Sequence, residues 1–259
     1  MDSILLSKEK DVAYITLNRP KVFNSMDTEM RKQLLVALQN CQTDPSVRAV
    51  CIIGEGRAFC AGQDLTEAAD EETLLSFQDV LTNQYNPIVL KIRQLEKPVV
   101  AAVNGVAAGA GANIAFACDI VVAAESASFV QAFSKIGLIP DSGGTWILPR
   151  LIGFGRASAA MMLGEKIMAK EAAAMGMIYK SFSDDIFKNE VTTLVEMLAK
   201  MPTRGLALTK KALNESIFGG FEQQLAHEAH FQSQAGDTKD YKEGVNAFIQ
   251  KRTPDFKGF

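Results

Sequence analysis

Short apolar runs that alternate with helical patterns and glycine-rich turns most restrict the fold of this chain. Residues 11–17 (DVAYITL), 47–53 (VRAVCII) and 97–103 (KPVVAAV) are predicted to be strands, each followed by a turn residue. Two more strands are predicted at 119–124 and 127–130. Apolar runs without polar alternation are typical of strands that are buried on both faces. The pattern therefore predicts an α/β fold with buried sheets.

Helices are predicted between these strands. Asp27 is a suitable N-cap for a first helix, because its side chain can accept a hydrogen bond from a main-chain N–H of the first turn. Helical patterns also occur at 108–118 and 145–163, each after a glycine-rich turn. Strand and helix thus alternate through the first two thirds of the chain.

The last part of the chain lacks strand signals and is rich in Leu, Ala, Lys and Glu. Breaks at Pro202 and at Gly219-Gly220 divide it into several helices. We therefore expect a core over residues 1–195 and a C-terminal helical region over 196–259 that belongs to the same structural unit and makes oligomer contacts.

Composition excludes several classes of protein. With 27 basic and 30 acidic residues the net charge is −3, so there is no general positive field that would favour nucleic acid. No apolar run reaches the ~18 residues of a membrane span. The four cysteines form no CxxC pair and no zinc-like spacing, which predicts buried thiols and no metal site. We expect a cytoplasmic protein.

Two glycine- and alanine-rich stretches follow predicted strands, FCAGQDL at 59–65 and NGVAAGAGANIA at 104–115. Small side chains let a ligand approach the main chain, and two converging N–H groups would form an oxyanion hole. Close helix packing would explain the second stretch equally well. Its GAGANI segment also half-matches a dinucleotide fingerprint, but the last glycine is missing, so nucleotide binding is weakly supported.

A single acid, Asp141, lies in the apolar and glycine-rich segment KIGLIPDSGG at 135–144. Two interpretations are open from the local sequence. Asp141 is either the N-cap of the helix that follows or a catalytic group held in an apolar environment.

Five motifs occur in order along the chain: LNRPKVFNSM at 17–26, AFCAGQDL at 58–65, NGVAAGAGANIAFACDI at 104–120, SKIGLIPDSGGTWILPRLIG at 134–153 and EGVNAFIQKRTPDFKG at 243–258. With them the chain resembles the enoyl-CoA hydratase/isomerase family, or crotonase superfamily, over essentially its whole length. The resemblance implies repeated ββα units that form two near-perpendicular sheets, with a helical C-terminal trimerisation region. It also implies an acyl-CoA substrate and a homotrimer or dimer of trimers.

The resemblance further implies roles for individual residues. The oxyanion hole would be formed by the N–H groups of Ala61 and Ala110. The two glutamates of hydratases in this family correspond to Asn113 and Phe133, neither of which is an acid. Asp141 occupies the position of the single acid of the isomerases. Apolar neighbours such as Phe133, Ile139 and Trp146 would make its carboxylate more basic.

These features favour an isomerase that shifts a double bond from 3-enoyl- to 2-enoyl-CoA. The stretch QYNPIVLKI at 84–92 is similar to family members of phenylacetate catabolism that convert ring-1,2-epoxyphenylacetyl-CoA to oxepin-CoA. A hydratase or acyl-CoA hydrolase that recruits water, with Asn113 orienting it, is the alternative. A non-catalytic CoA-binding scaffold is a third. No cofactor is expected, since coenzyme A enters as part of the substrate.

The resemblance also suggests which residues bind the substrate. For CoA and the acyl group these are Lys21, Val22, Phe23, Gly62, Gln63, Asp64, Leu65, Tyr85, Gly109, Phe133 and Ile139. Residues 66–90, with Phe77, Tyr85 and Asn86, would shape the acyl pocket, although buried aromatic residues there are equally compatible with an ordinary core. A C-terminal cation, Lys251, Arg252 or Lys257, would reach CoA from a neighbouring subunit.

Overall fold

The computed structural model of the protein describes residues 2–68 and 76–259. Within these residues, strands form a six-stranded sheet in the order β1-β2-β3-β5-β7-β10 and a four-stranded sheet in the order β4-β6-β8-β9. The strands are β1 (Ile4–Glu9), β2 (Val12–Leu17), β3 (Ala49–Gly54), β4 (Ala58–Cys60), β5 (Val99–Val103), β6 (Val106–Ala108), β7 (Ile120–Ala124), β8 (Ser128–Val130), β9 (Lys166–Met168) and β10 (Lys180–Phe182).

Consecutive strands are divided between the two sheets. The pairs β3–β4, β5–β6 and β7–β8 each give their first strand to the large sheet and their second strand to the small one. The large sheet is parallel from β2 to β10, and β1 runs antiparallel to β2. Every residue of β5 is buried, because other elements cover both faces of the sheet. The expected α/β architecture of repeated units and two sheets is confirmed.

Helices follow the strands and then dominate the C-terminal part. They are α1 (Thr28–Thr43), α2 (Leu65–Ala68), α3 (Phe77–Val80), α4 (Asn86–Gln94), α5 (Ala110–Ala117), α6 (Gly144–Ile152), α7 (Phe154–Leu163), α8 (Ala169–Ala174), α9 (Asp184–Lys200), α10 (Thr203–Glu215), α11 (Phe221–Gly236) and α12 (Lys239–Gln250). A π-helical segment, Leu81–Tyr85, joins α3 to α4. Short 3-10 turns occur at Pro20–Val22 and Ala132–Ile136.

Several predicted helix boundaries are confirmed. The Asp27 side chain caps α1 by accepting a hydrogen bond from the Met30 N–H at 2.8 Å. Helix α10 begins directly after Pro202, and α11 begins directly after Gly220.

Two predicted helices were wrong in extent. The helix expected over 145–163 is divided at Gly153, whose φ of 80° and ψ of 156° cannot continue a helix, so α6 and α7 are separate. The helix expected over 108–118 begins only at Ala110, because the preceding residues form strand β6.

The C-terminal helices are joined to the core by buried polar contacts. The Lys210 ammonium of α10 donates to the Ile92 carbonyl at 2.7 Å and to the Asp119 carboxylate at 2.8 Å. Within the region itself, the buried Asp240 carboxylate of α12 accepts hydrogen bonds from the Lys257 and Gly258 N–H groups of the C-terminal tail, both at 2.7 Å. A buried charge that loses its partner is strongly destabilising, so these contacts hold the region in place. The division at residues 195 and 196 remains a prediction.

All four cysteines are buried free thiols, as expected from their apolar surroundings. Burial raises the pKa of Cys41 to about 11, and that of Cys51 and of Cys60 to about 12. In the described ranges, no helix is long and apolar enough to cross a bilayer. Nor do those ranges contain a group of three or more His, Cys, Asp or Glu side chains arranged to hold a metal ion.

Candidate active site

The loop that follows β4 is held by the segment before α1. The fully buried Asn24 side chain donates to the carbonyl groups of Glu55 and Ala58 at 3.0 and 2.8 Å. The Met26 N–H then donates to the Gly62 carbonyl at 2.8 Å. Main-chain bonds therefore fix the loop, which contains the first of the two predicted oxyanion donors.

The structure corrects the identity of that donor. The Ala61 N–H donates to the Phe23 carbonyl at 3.0 Å, so it is not available to a ligand. Two residues further on, the Gln63 N–H has no acceptor anywhere in residues 2–68 and 76–259. The sequence could not reveal this exchange, because the acceptor for Ala61 is a main-chain carbonyl on a distant segment.

The second predicted donor, Ala110, is the first residue of α5. The first N–H groups of a helix have no acceptor within it. The preceding Gly109 has a φ of 52° and donates its own N–H to the Val130 carbonyl at 2.9 Å. A Cβ on Gly62, whose φ is 96°, would lie 3.6 Å from the Ala110 nitrogen. The two loops therefore touch through glycine, which places the loop that contains Gln63 beside the start of α5.

Helix α5 packs tightly on strand β4 at Gly111. A Cβ on Gly111 would overlap the Cys60 carbonyl oxygen and lie 2.7 Å from its Sγ. The close-packing interpretation of the second glycine-rich stretch is therefore correct for this residue, while the neighbouring Ala110 keeps its N–H directed away from the helix.

We expect Gly111→Ala to destabilise the protein by about 1–3 kcal/mol, because the added methyl group meets main chain that cannot move aside. Gly155→Ala is the matched control, since a Cβ on this exposed residue of α7 meets nothing within 4 Å. That control is expected to stabilise the protein by about 0.4–1 kcal/mol. Urea unfolding of both variants measures the difference, and equal unfolding midpoints would contradict the prediction.

Asp141 lies in a tight turn before α6. The next two residues have positive φ, 50° for Ser142 and 80° for Gly143, and the Gly144 N–H donates to the Asp141 carbonyl at 2.9 Å. Gly143 is the N-cap, and in the described part of the chain no side chain caps α6. The Asp141 carboxylate instead accepts a hydrogen bond from the Ser142 hydroxyl at 2.8 Å. The interpretation of Asp141 as a helix cap is therefore wrong.

Burial raises the pKa of the Asp141 carboxyl group, and the Ser142 hydrogen bond only partly offsets this effect. Of the apolar neighbours expected around it, Phe133 is buried, whereas Ile139 is 80% exposed and Trp146 is 40% exposed. Trp146 stacks between Arg150 and Phe218. Ile139 and Trp146 therefore give Asp141 less cover in this chain than the sequence suggested.

Asn113 holds the main chain of the Asp141 turn. Its Nδ2 donates to the Asp141 carbonyl at 2.9 Å, and its Oδ1 accepts from Gln131 Nε2 at 2.8 Å. The residue is completely buried. Because both amide atoms are occupied, the expectation that Asn113 could orient a water molecule is not supported. Sequence analysis did not identify Gln131.

The candidate CoA-binding residues border the Gln63 loop. Lys21 and Val22 lie on an exposed 3-10 turn, and the Phe23 ring is packed under the Arg57 guanidinium at 4.3 Å. The bond from Ala61 to the Phe23 carbonyl places this turn beside the loop. Leu65 is exposed at the start of α2.

Asp64 differs from this group because its carboxylate is bound by side-chain and main-chain groups of the protein itself. It accepts hydrogen bonds from the Arg19 guanidinium and from both the N–H and the hydroxyl of Thr66. Burial acts to raise the pKa of Asp64, but these hydrogen bonds outweigh it and the pKa is lowered. The carboxylate is thus occupied within the fold, and a contact of Asp64 with CoA stays a prediction.

Tyr85 is completely buried at the end of the π-helical segment. The Arg31 guanidinium lies 5.0 Å from its ring centroid and donates to its hydroxyl at 3.4 Å. Its burial fits the core interpretation, and a role of Tyr85 in the acyl pocket stays a prediction. Phe77 is exposed at the start of α3, and Asn86 begins α4. The rest of the predicted acyl-pocket region, residues 69–75, lies outside the described residues.

Two of the three C-terminal cations are paired within their own chain. Arg252 binds both carboxylate oxygens of Glu243, at 2.6 and 2.8 Å, and Lys257 pairs with Asp255 at 2.7 Å. Lys251 ends α12 in a left-handed conformation. A CoA contact from Arg252 or Lys257 would have to compete with these ion pairs.

Comparisons with known proteins agree with this geometry. The family profile named Enoyl-CoA hydratase/isomerase matches residues 7–258. The chain is 45% identical to the 1,2-epoxyphenylacetyl-CoA isomerase of Escherichia coli (strain K12), covering 100% of this chain and 99% of that protein. It is also 45% identical to a probable enoyl-CoA hydratase of Rhodobacter capsulatus, covering 95% of each.

A crystal structure of an enoyl-CoA hydratase from Bacillus anthracis superposes with a TM-score of 0.93 at 32% identity, covering 99% of this chain and 100% of that one. Its fold is therefore shared along the whole described chain, including both sheets and the C-terminal helices. The protein belongs to the enoyl-CoA hydratase/isomerase family, the crotonase superfamily of enzymes that act on acyl-CoA thioesters.

Proposed function

We propose that this enzyme is an acyl-CoA isomerase in which Asp141 is the acid/base. The observation that carries the proposal is a single carboxyl group whose pKa is raised by burial, in a turn tied to the helix that begins with Ala110. A raised pKa makes the carboxylate a stronger base for a weakly acidic C–H bond. Asn113 and Phe133, at the positions where the hydratases of the family have glutamates, supply no second acid.

In the proposed reaction, the N–H groups of Gln63 and Ala110 donate to the thioester oxygen. Asp141 removes a proton from C2 of a 3-enoyl-CoA, and the electron pair spreads over the thioester and the double bond as a dienolate. The two N–H groups stabilise the negative charge on oxygen. The protonated Asp141 then returns the proton to C4, which leaves the double bond between C2 and C3.

The substrate side of the proposal rests on the relative that is 45% identical over the full chain and is named a 1,2-epoxyphenylacetyl-CoA isomerase. We propose that this chain accepts either a 3-enoyl-CoA or ring-1,2-epoxyphenylacetyl-CoA, with CoA against Lys21, Val22 and Phe23. Movement of a proton within one molecule changes no oxidation state, so the double-bond shift requires no redox cofactor.

Hydration is the second candidate, because the Rhodobacter capsulatus relative of equal identity is named a probable enoyl-CoA hydratase. Water addition requires a group that positions the water opposite the acid. The Asn113 amide is completely buried and bonded to Asp141 and Gln131, and Phe133 is apolar, which favours isomerisation over hydration. A non-catalytic scaffold would gain nothing from a buried carboxylate.

The experiment that tests the proposal is incubation of the enzyme with a 3-enoyl-CoA in deuterated buffer, followed by NMR and mass spectrometry of the product. A 2-enoyl-CoA as the first product supports isomerisation, with protium at C4 where Asp141 returns the same proton and deuterium at C4 where the protonated acid first exchanges with solvent. A 3-hydroxyacyl-CoA as the first product would establish a hydratase instead. CoA binding without product formation from either the 3-enoyl-CoA or ring-1,2-epoxyphenylacetyl-CoA would leave only the scaffold.

We also propose a homotrimer or a dimer of trimers. The C-terminal helices expose large apolar side chains, among them Phe221 at 78% and Phe248 at 86% exposure. Apolar surface of this kind marks an interaction site. Sedimentation velocity of the purified protein distinguishes a trimer from a hexamer, and a monomer would contradict the proposal.

The pH dependence of the reaction provides a prediction about Ser142. The base is active as a carboxylate, so the rate falls as the pH falls through the pKa of Asp141. The Ser142 hydroxyl stabilises the carboxylate and lowers that pKa. We therefore expect Ser142→Ala to shift the acidic limb of the pH–rate profile to higher pH.

Ser142→Gly is the matched control for the strain at this position, where φ is 50°. It also removes the hydroxyl but relieves the left-handed conformation. Both variants should show a shift in the same direction. If the acidic limb of the pH–rate profile is unchanged in both variants, the hydroxyl does not lower the pKa of Asp141. If it shifts in only one variant, a change in main-chain conformation at position 142 causes the shift.

A further inference from the structure

Two buried side-chain amides link strand β8 to the Asp141 turn. Gln131, the residue after β8, donates its Nε2 to Asn113 Oδ1 at 2.8 Å, and Asn113 Nδ2 donates to the Asp141 carbonyl at 2.9 Å. Gln131 is 4% exposed and Asn113 is 0% exposed. Water therefore has little access to these bonds, which are the only described hydrogen bonds of the two side chains.

The Asp141 carbonyl fixes the direction of both amides. A carbonyl oxygen can only accept, so Asn113 must present its NH2 group to it and its oxygen to Gln131. Gln131 must then present its own NH2 group to Asn113. Its Oε1 is left buried without a partner in the described part of the chain. An apolar side chain at position 131 would leave no unpaired acceptor there. The Gln131 amide oxygen therefore lowers the stability of the fold.

The same elements form the oxyanion site. The Asn113 N–H donates to the Gly109 carbonyl at 3.1 Å, and the Gly109 N–H donates to the Val130 carbonyl at 2.9 Å, one residue before Gln131. The amide pair thus connects the residues around Ala110 to the turn that holds the acid. The turn also rests directly on Asn113, because a Cβ on Gly144 would lie 2.6 Å from Asn113 Cγ.

We propose that Asn113 and Gln131 are positioning residues that set the distance between Asp141 and the oxyanion donors. This inference rests on the proposed function, since it assigns the amide pair to the reaction of that site. Asn113 holds the turn, and Gln131 holds Asn113 in the only orientation that can donate to the Asp141 carbonyl. Neither residue touches the reacting atoms.

The test uses Gln131→Met and Gln131→Leu. Both replacements are apolar and about as large as glutamine, and neither has an N–H or O–H group to donate to Asn113. The matched control is Gln224→Met in α11. Gln224, like Gln131, donates one hydrogen bond from its amide, in this case to the main-chain carbonyl of Ala212 at 3.2 Å, and its Oε1 is also buried without a described partner.

We expect both Gln131 variants to lower kcat for the 3-enoyl-CoA by about tenfold or more, because small displacements of catalytic groups have large effects on rate. The KM should change by less than about threefold, since the pair contacts no part of CoA. Hydrogen–deuterium exchange should become faster at the Gly144 amide, which bonds to the Asp141 carbonyl. The melting temperature of Gln131→Met should change little, because one orphan oxygen replaces another.

Three results of the activity measurements would overturn the inference: an unchanged kcat in both variants, a fall of kcat that Gln224→Met reproduces, or a loss of activity that follows the loss of folded protein. Failure of the proposed function is a separate outcome, seen when the wild-type protein does not isomerise the substrate. Exchange at Gly144 then still decides whether Gln131 holds the turn. An unchanged exchange rate in both variants would overturn the inference by itself.

Discussion

Asp141→Asn is expected to lower kcat for double-bond isomerisation by about 10²–10⁴-fold, the usual contribution of a general acid/base. The amide has nearly the shape of the carboxylate but cannot take the C2 proton. Product formation in deuterated buffer measures the rate, and calorimetric titration with the 2-enoyl-CoA product checks that binding persists. A variant with wild-type kcat would assign the proton transfer to another group.

The same substitution is expected to stabilise the fold at neutral pH. Because burial raises the pKa of Asp141 above its value in the unfolded chain, its ionised form is disfavoured in the native state. The loss of stability from ionising the buried carboxyl group is complete above the raised pKa of the folded state. It disappears as the pH falls below the pKa of an aspartate in the unfolded chain, about 3.9. Thermal unfolding of Asp141→Asn should therefore show a higher Tm than wild type at pH 7, with a smaller difference at pH 4. A lower Tm at pH 7 would show that the carboxylate helps the fold.

Ala110→Pro is expected to lower kcat by about 10²–10³-fold, because it removes one oxyanion donor. Proline is tolerated at the first position of a helix, where its missing N–H breaks no internal bond. The preceding Gly109 has φ 52° and ψ −128°, the mirror image of the extended conformation that residues before proline prefer, and glycine accepts both. The fold should therefore tolerate this substitution.

Ala110→Gly is the comparison for this variant, since it removes the methyl group but keeps the N–H. We expect it to lose far less activity than the proline variant at equal helix content, measured by circular dichroism. Equal losses in the two variants would indicate that the methyl group, rather than the N–H, matters. A proline variant with wild-type kcat would remove Ala110 from the oxyanion site.

The sequence predicted the longer elements well and the short ones poorly. Strands β3, β5 and β7 are continuous apolar runs, so their hydrophobic pattern identifies them. Strands β4 and β6 have only three residues each, too few to show a period, and the sequence predicts no strand there. The first strand, β1, has the sequence ILLSKE, whose apolar residues are adjacent and do not alternate with polar ones, so it shows no strand period.

At the candidate site, the sequence likewise predicted some features and missed others. Asp141, Ala110 and the two glycine-rich stretches could be found from residue types and motifs. The exchange of Ala61 for Gln63 could not, since a main-chain bond to Phe23 determines it. The occupied carboxylate of Asp64 and the buried position of Tyr85 likewise depend on partners from other segments, Arg19 and Arg31. Sequence motifs identified the chemistry, while tertiary hydrogen bonds decided which atoms are free for it.

The division of strand pairs between the two sheets has a consequence for how the molecule opens. Strands β3, β5 and β7 belong to the large sheet, and their direct successors β4, β6 and β8 belong to the small one. Because only a few residues connect each strand of the large sheet to its successor in the small sheet, the small sheet cannot separate without displacing strands of the large one. The two sheets should therefore exchange their amide protons with one common free energy, as a single cooperative unit. Local fluctuations of the Gln63 and Ala110 loops should then be suppressed, and the oxyanion site proposed there should persist until the whole core unfolds.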